Sequence, residues 1–222
     1  GVGEDILRYA SVAEKRLHVI ANPLVNERLF EASAEAIDDP WLAAGEPPVV
    51  LAAGSLEPRK DFATLIRAFA RLRRQRRARL LILGRGRERE RLAALAAQLG
   101  VAEDVRMPGF DPNPYRWMAR AAVFVLCSRR EGSGAVLAES LACGTPVVAA
   151  DCPSGPAEIL NGGRVGPLVP VGDSEALAHA VERMFDDPPS AAQLREAAEP
   201  FRADVSARRY LAALGLEPEA TA

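Results

Sequence analysis

Cysteine, histidine and lysine are all scarce in this 222-residue chain, and each scarcity narrows its chemistry. The three cysteines, Cys127, Cys143 and Cys152, lie in apolar or turn contexts with no paired metal-ligand spacing. That suits reduced thiols in a cytoplasmic protein. The two histidines, His18 and His179, have no nucleophile or carboxylate beside them in sequence. No Asp-x-Asp pair suited to a divalent cation occurs, and Ser133 lacks the Gly-x-Ser-x-Gly setting of a serine hydrolase. No apolar run approaches the length of a membrane span. A net charge of −2 offers no electrostatic reason to expect nucleic acid. The arginine run from Arg71 to Arg79 reads as a solvated helix face interleaved with core residues. Only Lys15 and Lys60 are lysines, so a lysine in a loop carries more information here than an arginine.

What is present is an alternation of short apolar runs with amphipathic segments. Val49–Ala53, Leu80–Leu83, a brief run near Val105, Val123–Leu126, Pro146–Ala149 and Leu168–Val169 read as strands, with helices between them. Further helices are expected near 174–186, 190–199 and 204–214. The alternation implies an α/β fold, a parallel sheet with helices on both faces. Ligands of such sheets bind at the carboxyl ends of the strands, so the loops beginning at 54, 84, 109 and 131 should line one crevice. Ahead of this domain, a short helix over 4–15, a strand at Leu17–Ile20 and an irregular linker over 26–47 are expected. The chain opens on Gly1 in mid-pattern and is expected to be part of something longer.

The strongest motif is Glu131-Gly-Ser-Gly-Ala-Val-Leu-Ala-Glu139. It follows a strand, and Gly132 and Gly134 allow a tight turn into a helix beginning near Ala135. The first amides of that helix lack internal partners and carry partial positive charge, a natural seat for a phosphate. Glu139 lies about 7 Å along the axis from Gly134, so the two carboxylates flank whatever sits on the helix tip. A second loop, Gly54-Ser-Leu-Glu-Pro-Arg-Lys-Asp61, offers Arg59 or Lys60 to neutralise a diphosphate, the role a divalent cation takes in other sites. Alternatively it is only a turn with Asp61 as helix cap. Gly84-x-Gly86 begins a dinucleotide fingerprint but has Arg89 where the third glycine belongs, which disfavours a nicotinamide site. The Gly109–Tyr115 segment either holds a base against backbone amides or is a plain turn.

Together these segments resemble the donor-binding C-terminal domain of GT-B glycosyltransferases, specifically the retaining enzymes of family 4. The resemblance runs from His18-Val-Ile-Ala-Asn-Pro23 through the loops at 54, 83 and 113 and the Glu131–Glu139 motif to Asp151-Cys-Pro-Ser-Gly-Pro156 and the last helix. Asn113-Pro-Tyr and Cys152-Pro-Ser-Gly-Pro look most like bacterial surface-polysaccharide members. It implies a Rossmann-like half of a GT-B fold: residues 1–16 as the tail of a missing acceptor-binding N-terminal domain, 17–48 as linker and first strand, 49–200 as the donor domain, and 201–222 as C-terminal helix and tail. It further implies a UDP- or GDP-sugar donor, no metal or other cofactor, and transfer of a hexosyl or N-acetylhexosaminyl group to a hydroxyl. The reaction would occur in the cytoplasm, at the inner membrane face through the missing domain. Glu131, Lys60 and Arg59 would act on the reacting sugar and diphosphate. Ser55, Gly132, Ser133, Gly134, Ala135, Val136, Glu139, Gly84, Phe110 and Asn113 would hold the donor. The family often has arginine where Ser55 stands, a charge that Arg59 would have to supply. A non-catalytic sugar-nucleotide module and a GT-B epimerase are the alternative readings.

Overall fold

Runs such as Val49-Val-Leu-Ala-Ala form strands because both of their faces can be covered, so every side chain is usefully apolar. The computed structural model describes residues 6–8, 13 and 16–216. Within them, β1 (Val49–Ala53), β2 (Arg79–Leu83), β3 (Val105–Gly109), β4 (Val123–Leu126), β5 (Val147–Ala150) and β6 (Leu168–Val169) form a six-stranded sheet. All pairings are parallel, in the order β3-β2-β1-β4-β5-β6. The helices are α1 (Glu27–Ala34), α2 (Phe62–Arg73), α3 (Arg89–Gln98), α4 (Tyr115–Met118), α5 (Ala135–Ala142), α6 (Pro156–Ile159), α7 (Ser174–Asp186), α8 (Ala191–Ala198) and α9 (Ala203–Ala213). This is the Rossmann-like α/β architecture expected from the alternation of elements.

Period-two alternation sorts the core onto two faces. Val50, Ala52, Leu80, Ile82, Val123 and Val125 pack with Phe62, Leu65, Ile66 and Phe69 of α2 and with α3 and α7. Val49, Leu51, Leu81, Leu83, Phe124 and Leu126 point the other way, toward α1, α4, α5 and α8. Helix starts follow local chemistry. Asp173 accepts hydrogen bonds from the amides of Glu175 and Ala176 to cap α7, and Ser190 with Gln193 forms a capping box on α8.

The region before β1 departs from expectation in two places. Leu17–Ile20 is not a strand: it joins no ladder, and Val19 is 77% exposed. The chain is instead fastened a few residues later, where the Leu24 and Val25 amides donate to the Phe201 carbonyl and Ala203 donates back to Val25. The linker expected over 26–47 contains α1, capped by the Asn26 side chain accepting from the Leu29 amide. At 8 residues, with Leu29 its one buried side chain, α1 is too short for its apolar face to repeat often enough to register as periodic. The helix expected over 4–15 lies largely outside the described residues. Downstream, the Trp41 ring lies under the guanidinium groups of Arg79 and Arg106, at 5.0 and 4.2 Å. Those arginines also pair with Glu46 and Asp39, which holds the lead-in against the sheet.

Candidate functional site

In a doubly wound sheet the crevice opens where the strand order reverses, because the loops on either side leave in opposite directions. Here that point lies between β1 and β4. The loop after β1 carries Lys60 and the loop after β4 carries Glu131, residues 71 positions apart, and the Lys60 Nζ lies 2.6 Å from Glu131 Oε1. Their side chains are only 12% and 9% exposed. The Ser128 hydroxyl, fully buried, donates to the same carboxylate oxygen. Three further contacts clasp the loops together. The Arg129 amide donates to the Arg59 carbonyl at 2.8 Å, the Cys127 thiol reaches the Lys60 carbonyl at 3.1 Å, and Arg129 Nη2 lies 3.0 Å from Asp61 Oδ2. Asp61 adopts a left-handed backbone, φ 50°, and its side chain makes no cap on α2. It serves the clasp instead, at ion-pair distance from Arg129 but out of line for a hydrogen bond.

Beyond Glu131 the chain turns through Gly132 and Ser133 to Gly134, left-handed at φ 69°, and enters α5 with no side chain capping it. The amides of Ala135 and Val136 therefore begin a helix whose end is open to a ligand. The loop before α6 braces this turn: a Cβ on Gly155 would lie 2.2 Å from the Ser133 carbonyl oxygen, so only glycine permits the approach. Glu139, just over one turn along α5, is mostly buried and accepts from the Tyr115 hydroxyl at 3.4 Å. Burial pushes its carboxyl above the ordinary range, while that hydrogen bond works in the opposite direction. The Tyr115 phenol is raised in turn by burial and by the Glu139 charge. Cys143 is pushed up to about 12 by burial and by Glu139, and burial likewise raises Cys127 and Cys152. Each of these thiols is thus held neutral, away from thiolate chemistry.

Across the ends of β1, β2 and β3 lies an apolar cavity of about 430 Å³, lined by Ala53, Gly54, Ser55, Leu83, Gly84, Arg85, Phe110, Asp111 and Pro114. Its floor depends on a close backbone approach, since a Cβ on Gly84 would sit 1.8 Å from the Gly54 carbonyl oxygen. Phe110 stands 64% exposed at the cavity. Asp111 is already committed, accepting from Arg116, Trp117 and the Asn113 amide. A larger hollow of about 730 Å³ lies at the opposite, amino-terminal end of the strands, among Pro48, Arg76, Arg77, Ala122, Pro146 and Pro188, and there Arg76 is already paired with Glu182 and Asp186.

Sequence reasoning named Lys60, Glu131 and the Gly132–Val136 turn, and the fold brings them to one crevice with Glu139 on the same helix. Ser55, Gly84 and Phe110 meet instead at the adjoining cavity. Arg59 is exposed, pairs with Glu57 at 3.2 Å and donates to the Ser55 hydroxyl at 3.4 Å. Asn113 is placed elsewhere. Its side-chain amide donates to the Ala32 carbonyl and to Glu35, so it pins its loop to the end of α1 rather than presenting itself to the cavity. Ser128, Tyr115, Arg85 and the Asp61–Arg129 pair were not singled out as site residues. Only Ser128, three positions before Glu131, left a local signal.

Comparison with known proteins gives this geometry a family. The chain is 34% identical over 184 residues to the N-acetylgalactosamine-N,N′-diacetylbacillosaminyl-diphospho-undecaprenol 4-alpha-N-acetylgalactosaminyltransferase of Campylobacter jejuni, covering 83% of this chain and 48% of that protein. It is 33% identical over 174 residues to the lipopolysaccharide core biosynthesis glycosyltransferase LpsE of Rhizobium meliloti, covering 78% and 49%. Among solved structures, Anabaena Alr3699/HepE in complex with UDP and glucose matches with a TM-score of 0.68 and 25% identity, over 76% of this chain and 48% of that one. The chain thus spans about half the length of the curated relatives it matches. Residues 33–201 match the family of glycosyl transferases group 1, and the chain belongs to that family.

Proposed function

We propose that this chain is the donor-binding half of a retaining, family 4 type glycosyltransferase that moves a hexosyl or N-acetylhexosaminyl group from a UDP- or GDP-sugar to a hydroxyl acceptor. The observation that carries this reading is the buried Lys60–Glu131 pair at the topological switch point, beside an open helix N-terminus and an apolar cavity. Each part has a fitting share of such a donor. The cavity of about 430 Å³ takes the base against the 109–114 loop. Glu139 accepts the ribose hydroxyls, the amides at the start of α5 and the Lys60 ammonium meet the diphosphate, and Glu131 accepts from the sugar hydroxyls. Lys60 has three N–H donors and Glu131 several lone pairs, so both can engage a ligand while still facing each other. Positive charge on the departing phosphate comes from Lys60, and this reading needs no metal or other cofactor. Arg59, hydrogen-bonded to Ser55, is the guanidinium at hand to supply the charge that the family often carries at residue 55.

Relatives that act in lipopolysaccharide core synthesis and on a diphospho-undecaprenol-linked sugar favour a role in bacterial surface-polysaccharide assembly. Such acceptors would place the work at the inner face of the membrane, with contact made by an acceptor-binding domain ahead of this chain. Among the described residues no helix is long and apolar enough to cross a membrane. Alone the chain should bind donor and turn over little, since two domains must close to position the reactants. Calorimetric titration with UDP-, GDP- and ADP-sugars tests the reading. Saturable binding that weakens at least tenfold in Lys60→Ala is expected, and unchanged binding in that variant sinks the diphosphate assignment.

A further inference from the structure

Glu139 is given too little company for the role assigned to it. Its carboxylate is mostly buried on α5, and among the described residues it pairs with no lysine or arginine. One side chain donates to it, the Tyr115 hydroxyl at the start of α4, which reaches Oε1 at 3.4 Å. One turn further along α5, Cys143 faces the Tyr115 carbonyl at 3.9 Å, and its thiol stays neutral. Arg195 is the nearby cation, and it acts on Cys143. Tyr115 itself is partly buried and packs at the edge of the core, so its ring has little freedom to turn away.

We propose that Tyr115 is a positioning residue for Glu139, fixing that carboxylate to receive the ribose hydroxyls of a nucleoside diphosphate; the proposal rests on the donor-site reading above. A vicinal diol offers two hydrogens, and a carboxylate receives both only when it is ionised and correctly rotated. A hydroxyl donating to Oε1 does both things. It favours the charged form against the burial that opposes it, and it fixes the rotation while leaving Oε2 and a lone pair of Oε1 for the ligand. The 3.4 Å separation lies at the long end of the hydrogen-bond range, within reach of a small rotation of either side chain.

The test uses the whole chain, calorimetry, and the tightest binder among UDP, GDP and ADP together with its 2′-deoxy counterpart. Tyr115→Phe removes one oxygen and keeps the ring. It is expected to weaken the ribonucleotide about tenfold, the worth of one hydrogen bond to a charged group, and the deoxynucleotide, which keeps only the 3′-hydroxyl, distinctly less. The acid limb of its binding profile should move to higher pH, because Glu139 loses the group that favours its ionised form. In a Glu139→Gln background the same change should weaken binding no further. A Tyr115→Phe chain that loses ribo- and deoxynucleotide affinity equally, or keeps the wild-type ribose preference and acid limb, overturns the proposal while leaving the donor site standing. Absence of nucleotide binding by the unaltered chain, or full binding by Glu139→Gln, overturns the donor-site reading and this proposal with it.

Discussion

The ion pair between Lys60 and Glu131 should be recoverable as a coupling energy in the empty protein. At 2.6 Å, opposite charges attract by about 6 kcal/mol in an effective dielectric near 20, before the cost of taking both out of water is counted. With side chains only 12% and 9% exposed, that cost is substantial, and whichever partner survives a single substitution inherits it uncompensated. Lys60→Met leaves Glu131 with only the Ser128 hydroxyl and should cost about 3 kcal/mol. Glu131→Gln keeps an acceptor for both Ser128 and Lys60 and should cost about 2 kcal/mol. The double variant buries no unpaired charge and should cost no more than the milder single one, a coupling of about 3 kcal/mol. Urea unfolding reads each value as a shift in midpoint, on the order of 1 M for Lys60→Met, provided the slope is unchanged. Single effects that add to within about 0.5 kcal/mol would refute the argument, because two groups at that distance cannot then be interacting in the fold.

Gly84→Ala drives a Cβ to 1.8 Å from the Gly54 carbonyl oxygen, backbone against backbone, so thermal melting should show a loss of about 3 kcal/mol or more; a change below about 0.5 kcal/mol would contradict the close approach. Gly132→Ala meets nothing within 4 Å and should melt as the parent does, yet donor affinity by calorimetry should fall several-fold if the turn lies against the sugar and phosphate. Glu139→Gln should stabilise the fold at pH 7 by on the order of 1 kcal/mol while weakening donor binding. The sign follows from a folded-state pKa shifted upward: the parent's stability falls as pH rises through the raised Glu139 value, a loss the glutamine variant does not share. Melting curves against pH should therefore converge in acid and separate toward neutrality, and parallel curves would sink the assignment.

Much of this was legible because parallel α/β sequences advertise themselves. β1, β2, β4 and β5 are apolar on both faces, and the core residues Phe62, Leu65, Ile66 and Phe69 recur at helical spacing on α2. That Lys60, Glu131 and the Gly132–Gly134 turn would gather at the strands' carboxyl ends was equally readable, since a glycine turn, a rare lysine and an uncapped helix start are local features. What escaped was partnership. Nothing local says that Asp61, apparently a helix cap, turns its carboxylate to Arg129, or that the Asn113 side chain is spent on Ala32 and Glu35 in α1 and just beyond it. Tyr115 and Glu139 are 24 positions apart and meet only because α4 packs on α5. The apolar run at 17–20 misled for the converse reason: it has strand composition but joins no ladder.

The pairing of Lys60 with Glu131 also explains how two charges can be held in order in a largely buried crevice. A lone lysine aimed at an empty crevice would draw water or swing out, since a buried unpaired cation is costly. Glu131 neutralises it, Ser128 shares the carboxylate, and the Asp61–Arg129 clasp keeps the two loops facing each other. On the donor-site reading proposed above, a diphosphate would bring negative charge to an ammonium with donors to spare, and the sugar would bring hydroxyls to a carboxylate with lone pairs to spare. Neither partner has to be stripped from the other. Preorganisation of this kind lowers the cost of ordering the site at the moment of binding, which is where two exposed and independent charges would lose most of their affinity.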